Sequence, residues 1–537
     1  MKKIIFDILG LLISLLFLMF TTRPLFHPGL FPTSDNISVV RLEEMRKELD
    51  AGQFPVRYVK DLGKGHGYML FNFYAPLPFY TGALMNKLGV NSVGALKRTY
   101  LIAFVLGTTF MYLLGKKYFG IWGGIVASGF YSLTPYLGMD TYSRGGLGEV
   151  WAISVIPMVL YFLTNYFEKS NIISFIFSSS AITVLILSHN LTPYMAIAFI
   201  ATFAFFLNQK MSFFRLLLPF VFGLGMSCFF LLPSLVEKNY VWVWYMDKNI
   251  SEFQKYFLSY KILYSPQSFF QISYLTPWYG LSLLWIAIAI FFLKKKVTRV
   301  FLLSFIFSLM SLFLVFPLSK PIWNNLGGVL SILQFPWRFL TIYTVFVPLL
   351  VGFLVTGTSR YRYIIGVIIL LVSIVTSINS FRPSRYEFVD KYRAEDPCGT
   401  TWGYEYLPIW TKVCLKQFPD LKFDFFEGSG EIETLIDSSR HYKFKVDAKE
   451  DSLLRINEYY YPGWIAYVNN KEVPINYSNL YGIISLSVSK EKNFVELRLL
   501  ETPLRKFSNI VSFTSFILLI LLLVLRILNL RKLLKIP

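Results

Sequence analysis

Long apolar runs broken by short basic clusters organise most of this chain. Runs of about 17 residues or more recur, each able to cross a bilayer as a helix. The pattern predicts about 12 helices, near 4–22, 99–115, 119–138, 149–167, 172–188, 191–207, 213–232, 279–293, 299–317, 337–357, 363–380 and 507–528. The first run lacks a small-residue cleavage site after it, since Thr21-Thr22-Arg23-Pro24 follows, and is read as a retained helix. Between 381 and 506 the pattern changes. Tyr442, Phe444 and Val446 alternate with Lys443 and Lys445, and Val495, Leu497 and Leu499 alternate with Glu496 and Arg498. Period-two alternation predicts strands, and Asn469-Asn470-Lys471 marks a turn between β-rich runs.

The expected fold is therefore a polytopic α-helical membrane protein with a small extracytoplasmic β-sandwich-like domain. Residues 1–380 form the transmembrane domain with a first outer loop at 23–98. Residues 381–506 form the β-rich domain, and 507–537 form a final helix and basic tail.

Charge then assigns the sides. Lys2 and Lys3, Lys116 and Lys117, Lys169, Lys210 and Arg215, Lys294 to Lys296 with Arg299, Arg360 and Arg362, and the tail with Arg526, Arg531, Lys532 and Lys535 all fall on one side. Basic residues concentrate on the cytoplasmic side, so both termini of this multi-pass inner-membrane chain are expected there. The other side receives residues 23–98, 139–148, 233–278, 318–336 and 381–506. The net charge of +20 is thus a topology signal and not a nucleic-acid footprint. Composition agrees with a membrane chain: 55% of residues are apolar, 18% aromatic and only 16% charged. Of the three cysteines, Cys398 and Cys414 lie on the outer side, as a disulfide or as two thiols.

The polar residues that stand out all lie on that outer side. Asp35 precedes a helical pattern in which Val39, Leu42, Met45 and Leu49 share a face and Arg41, Glu43, Glu44, Arg46 and Lys47 lie mostly elsewhere. This suits a helix lying on the membrane surface. Asp35 suits an N-cap, and a capping carboxylate can also face a cavity. Arg57 offers a bidentate fork to phosphate or to lipid headgroups. Gly63-Lys64-Gly65-His66-Gly67 lacks the residues of a phosphate loop and reads as a flexible surface loop. Arg144 and Glu149 either pair to order a turn or serve a ligand. His189 interrupts the connection between two spans, as a structural histidine or a ligand contact. Gln334-Phe335-Pro336-Trp337-Arg338 opens the tenth span, with Arg338 snorkelling to the interface or meeting an anion. The histidines make no zinc signature, and no Walker motif occurs.

Asp35, the stretch from Gly52 to Arg57, Phe73-Tyr74-Ala75-Pro76-Leu77, Tyr142-Ser143-Arg144-Gly145 with Glu149, and Gln334 to Arg338 together resemble the bacterial "6-pyruvoyl-tetrahydropterin synthase-related" membrane proteins. Gln-Phe-Pro-Trp-Arg is the most specific of these motifs. Tyr461-Pro462-Gly463-Trp464 resembles the outer domain of YfhO-type membrane proteins. The soluble pterin synthase itself, with its three-histidine zinc site, is not matched. The architecture looks like the GT-C glycosyltransferases, which use polyprenyl-phosphate sugars at the outer face. That resemblance implies Asp35 and Glu149 as catalytic residues and Arg57, Arg144, Arg338, His189 and Gln334 as donor or phosphate contacts. Asn36 follows Asp35 where many such enzymes have a second acid, so no cofactor is indicated and a divalent metal is left open. The implied function is transfer of a sugar from a polyprenyl-phosphate donor to a glycan, lipid or protein acceptor. The alternatives are a polysaccharide or lipid flippase and a non-catalytic envelope-assembly scaffold.

Overall fold

A computed structural model describes residues 2–528, apart from 36, 208–211, 244–249, 266, 270–272, 276, 292–297, 357–360 and 389–404. Asn36, the basic clusters at 294–296 and 531–535, Lys210, Arg360 and Cys398 lie outside the described residues. Cys414 is disulfide-bonded.

Each of the twelve expected spans has a helix. In chain order the principal helices are α1 (Lys2–Leu16), α2 (Ser38–Asp50), α3 (Leu77–Lys87), α4 (Ser92–Ser132), α5 (Leu147–Lys169), α6 (Ile172–Ser188), α7 (Thr192–Leu207), α8 (Phe213–Val236), α9 (Trp278–Phe291), α10 (Arg299–Val315), α11 (Leu340–Leu354), α12 (Tyr361–Ser377) and α13 (Pro503–Ile527). Two expected spans share α4, which breaks at Gly120 (φ 77°, ψ 177°), a backbone conformation that glycine tolerates. Among the described residues, seven helices are individually long and apolar enough to cross a membrane, eight if Arg299–Val315 and the bent Pro317–Asn325 count as one span. α6, α7 and α9 are shorter apolar helices. The buried α5 and α11 form the centre: α4 packs on both, α10 flanks α11, and α8 lies between α6 and the peripheral α13.

The two ends of the bundle match the two sets of connections. At one end Lys116 pairs with Asp7 at 2.7 Å, Lys117 with Glu168 at 3.0 Å, and Trp122 Nε1 donates to Arg362 O. At the other end the five long segments meet one another. Ser34 N donates to Ser143 O, Leu30 bridges Glu387, Trp242 N donates to Leu407 O, and Tyr256 packs edge-on against Phe335 and Trp337.

A short hairpin, β1 (Gln267–Phe269) with β2 (Ser273–Leu275), precedes the C-terminal domain. That domain holds β3 (Phe423–Glu427), β4 (Gly430–Ser438), β5 (His441–Ala448), β6 (Ser452–Tyr459), β7 (Trp464–Val468), β8 (Lys471–Val473), β9 (Ile483–Val488) and β10 (Lys492–Leu499). They form antiparallel sheets of order β4-β5-β10-β7-β8 and β3-β6-β9. Val495 faces Phe444 and Leu497 faces Tyr442 across β10 and β5, all four buried, which is the expected alternation. Phe423 of the smaller sheet stacks on Phe444 at 4.4 Å, closing a sandwich core. Asn469 and Asn470, with φ of 50° and 63°, make the two-residue turn between β7 and β8.

Two sequence expectations change here. The polar side of α2 is not solvated: Arg41, Glu44 and Glu48 are as buried as Val39, Leu42 and Met45. Neighbouring loops supply partners that a surface helix lacks, since Lys60 N donates to Glu48 and Asp61 N to Glu44. Nor is the glycine cluster a loose loop. His66 O accepts from Tyr459 N at 2.8 Å, and Lys422 Nζ donates to Gly65 O at 2.8 Å, so the β domain clamps it. Beneath it Glu458, fully buried, receives the hydroxyls of Tyr58 and Tyr442 and the ammonium of Lys422. Burial raises its carboxyl above the ordinary range.

Candidate active site

The site begins where α4 ends. A short helix, Pro135–Met139, runs into a π-helical turn, Asp140–Arg144. Gly145 then takes the left-handed conformation (φ 79°, ψ 24°), Gly146 N donates to Asp140 O at 2.8 Å, and the chain enters α5. The loop that carries Asp35 lies directly on this turn, with Asp35 N donating to Arg144 O at 2.8 Å. The fit depends on Gly145. A Cβ there would come within 2.4 Å of Thr33 Oγ1 and 2.9 Å of Asp35 O.

Four charged side chains interlock at this point. Arg144 Nη1 lies 2.6 Å from Asp140 Oδ1 and 2.5 Å from Glu149 Oε2. Arg338 Nε is 3.4 Å from the same Glu149 oxygen, and its Nη1 donates to Leu333 O at 3.0 Å. The Tyr136 hydroxyl donates to Glu149 Oε1 at 2.6 Å. Two carboxylates and two guanidinium groups cancel, which is the condition for holding them in a site of low dielectric. Arg338 arrives through a turn at Gln334, which is half-buried and holds φ 66°.

Asp35 is the more open acid, its side chain 32% exposed. Its nearest cation is Arg41, 3.5 Å away, which lies 4.3 Å over the Tyr74 ring. Burial opposes the Arg41 charge, but Asp35 and the neighbouring tyrosines hold its pKa above the ordinary guanidinium value. Among the described residues, Nε and Nη1 of Arg41 have no hydrogen-bond acceptor. The cavity between Asp35, Phe31, Leu96 and Tyr100 has a volume of ≈ 10 Å³, room for about one water.

His189 and Asn190 close the far side. Asn190 Oδ1 accepts from Ala75 N at 2.9 Å and Nδ2 donates to Phe73 O, so this amide clips the Phe73-Tyr74-Ala75 motif to the α6–α7 connection. His189 Nδ1 accepts from Thr192 N at 3.1 Å, which places the imidazole proton on Nε2. Burial pushes this imidazole down to about 3, with Glu149 opposing and Arg338 and Arg144 adding to the depression. His189 is thus a neutral N–H donor.

The structure therefore brings Asp35, Arg144, Glu149, Arg338, His189 and Gln334 to one end of the bundle, and it places Arg57 elsewhere. Arg57 spends its donors on Glu501 (3.2 Å), Asn72 (3.1 Å) and Asn509 (2.8 Å), in a buried network where Glu237 also takes Asn72 and Arg505. It ties the loop between α2 and α3 to the start of α13, with each of its three guanidinium nitrogens engaged. Sequence reasoning does not reach Arg41 and Tyr136 as site residues, whereas Asp140 is one of the two acids that flank Arg144 in this turn. Asp140 sits four residues before Arg144, a helical spacing that does signal a pair. Arg41 was hidden by the expectation of a solvated helix face. Among the described residues no group of three or more His, Cys, Asp or Glu is placed to hold a metal ion.

A family model described as "6-pyruvoyl-tetrahydropterin synthase related domain; membrane protein" matches residues 71–384, more than half of the chain. No curated protein matches. Several solved structures are similar. A mutant of arabinofuranosyltransferase AftD from Mycobacteria shares 12% identity at a TM-score of 0.40, over 69% of this chain and 27% of that one. The Archaeoglobus fulgidus oligosaccharyltransferase in the apo form shares 14% at 0.35, over 70% and 55%. ArnT from Cupriavidus metallidurans bound to undecaprenyl phosphate shares 11% at 0.29, over 65% and 77%. The chain thus spans about a quarter of the first and about half of the second.

Proposed function

The chain belongs to the 6-pyruvoyl-tetrahydropterin synthase related family of membrane proteins, and on that premise we propose that it is an integral membrane glycosyltransferase of GT-C type, moving a sugar from a polyprenyl-phosphate donor to a glycan, lipid or protein acceptor at the outer face of the bacterial inner membrane. The observation that carries this reading is the seating of a partly exposed carboxylate, Asp35, on the same turn as a buried, self-compensated arginine–carboxylate cluster.

Asp35 takes the proton of the acceptor hydroxyl as general base. The acceptor oxygen forms its bond to the anomeric carbon while the bond from that carbon to the phosphate oxygen breaks. The electron pair leaves with the polyprenyl phosphate, and the anomeric centre inverts. Arg41 and Arg338, each with a guanidinium nitrogen lacking a hydrogen-bond acceptor among the described residues, stabilise the leaving phosphate. Arg144, held between two acids, positions Glu149 and the Asp35 loop. His189 Nε2–H donates to a substrate oxygen. The ≈ 10 Å³ cavity beside Asp35 means that the Asp35 loop and Tyr100 part to admit a sugar.

Asp35→Asn and Asp35→Ala are tested in proteoliposomes supplied with a polyprenyl-phosphate sugar. Both lose transfer while remaining folded and inserted in the membrane, read by fluorescence size-exclusion chromatography. Full transfer by Asp35→Asn removes Asp35 from the mechanism.

A further inference from the structure

The first turns of α4 divide two spaces. Leu96 and Tyr100 face the Asp35 cavity, whereas Lys97 and Arg98 face a separate groove of ≈ 750 Å³. That groove is bounded by residues 25–28, residues 88–91 and α4, and no Asp or Glu lines it.

Its polar lining is unusual for a membrane interface. Lys97 is only 4% exposed, and its Nζ donates to two neutral acceptors, His27 O and Gly29 O. Among the described residues no carboxylate lies within ion-pair distance of it. A buried ammonium with two carbonyl partners keeps a third N–H and an uncompensated charge, a costly state without a counter-ion. His27 accepts from Gly29 N at Nδ1 (3.1 Å), which leaves its proton on Nε2, and its ring is fixed by stacking on Tyr386 at 3.7 Å. Arg98 is exposed and makes no ion pair among the described residues. Two cations and a neutral N–H donor therefore line one groove, with no anion among its lining.

We propose that this groove holds one anionic phospholipid of the phosphatidylglycerol class, its phosphate on Lys97, Arg98 and His27 and its upper acyl chain along the apolar wall. The wall distinguishes a lipid from free phosphate. Phe26 and Leu88, 71% and 72% exposed, flank the groove at the end of a membrane helix, where Leu25 and Leu101 continue the apolar surface. Basic residues next to apolar surface at that depth suit anionic headgroups.

The test is native mass spectrometry of the full chain in detergent, titrated separately with phosphatidylglycerol, phosphatidylcholine and inorganic phosphate. One phosphatidylglycerol is retained and phosphatidylcholine is not. Lys97 also clips two loop carbonyls, so Arg98→Gln and Val93→Glu, which leave those bonds intact, carry the comparison. Arg98→Gln weakens retention roughly fivefold, the effect of one basic residue near an anionic surface, and Val93→Glu abolishes it. Equal retention of phosphatidylcholine, unchanged retention in both variants, or displacement of the lipid by inorganic phosphate alone overturns the assignment.

Discussion

Arg338 Nε stands 3.4 Å from Glu149 Oε2, joining the most specific sequence motif of the chain to the first turn of α5. The contact makes Glu149 the common partner of two arginines, and it sets the first expected outcome. Glu149→Gln leaves two buried guanidinium groups facing Asp140 alone. Breaking a buried pair in this way costs about 3 kcal/mol, so the melting temperature in detergent falls and transfer is lost with it. Arg338→Lys keeps the charge but not the fork. Transfer drops by roughly a hundredfold, in line with loss of one stabiliser of developing charge, and the melting temperature moves little.

Gly145→Ala separates loop position from site chemistry. The new methyl meets Thr33 Oγ1 and Asp35 O, and the left-handed backbone disfavours any Cβ. The Asp35 loop lifts from the turn while all charged groups remain. A fall in kcat with unchanged membrane insertion is expected, measured by transfer assay and fluorescence size-exclusion chromatography.

Arg57→Gln distinguishes an anchoring role from a donor-binding one. It strips ion-pair and hydrogen-bond partners from Glu501, Asn72 and Asn509, a loss of about 2 kcal/mol for charged hydrogen bonds. The β domain loosens, so limited proteolysis near residue 501 accelerates. KM for the lipid donor stays at the parent value, because Arg57 lies outside the site.

The pH response follows from His66, which burial pushes down to about 4 from 6.5 against the β domain. The unfolded chain binds a proton that the folded chain refuses. The stability tied to this residue is therefore complete above pH 6.5 and is lost as pH falls from 6.5 toward 4. His66→Gln removes that slope. The difference in melting temperature between parent and variant, read across this window, checks it.

Much of this arrangement was legible in the chain. Each of the twelve apolar runs lies in a helix, two of them sharing α4, because span length is set by lipid thickness. The alternation at Tyr442, Phe444 and Val446 and the Asn469-Asn470 turn survived intact, because strand period and turn chemistry are local. Asp35, Arg144, Glu149 and Arg338 were visible as polar residues in apolar surroundings. What stayed hidden was docking between distant segments. Nothing near Arg41 or Glu44 announces that loops will cover that face of α2, and nothing near Arg57 announces Glu501. The glycines at 63, 65 and 67 read as slack, and only the β domain turns them into a close fit.

The buried carboxylate at Glu458 carries a consequence for biogenesis. Its partner Tyr58 is 400 residues earlier in the chain. During synthesis the loop between α2 and α3 emerges long before the strand that satisfies it exists, and such long-range contacts form late. That loop must therefore wait, with unpaired polar groups turned toward water, until ribosomes have nearly finished. Chains that stall before β6 leave Tyr58 and the glycine cluster uncovered, and a protease working on that side of the membrane can tell the unfinished molecule from the finished one.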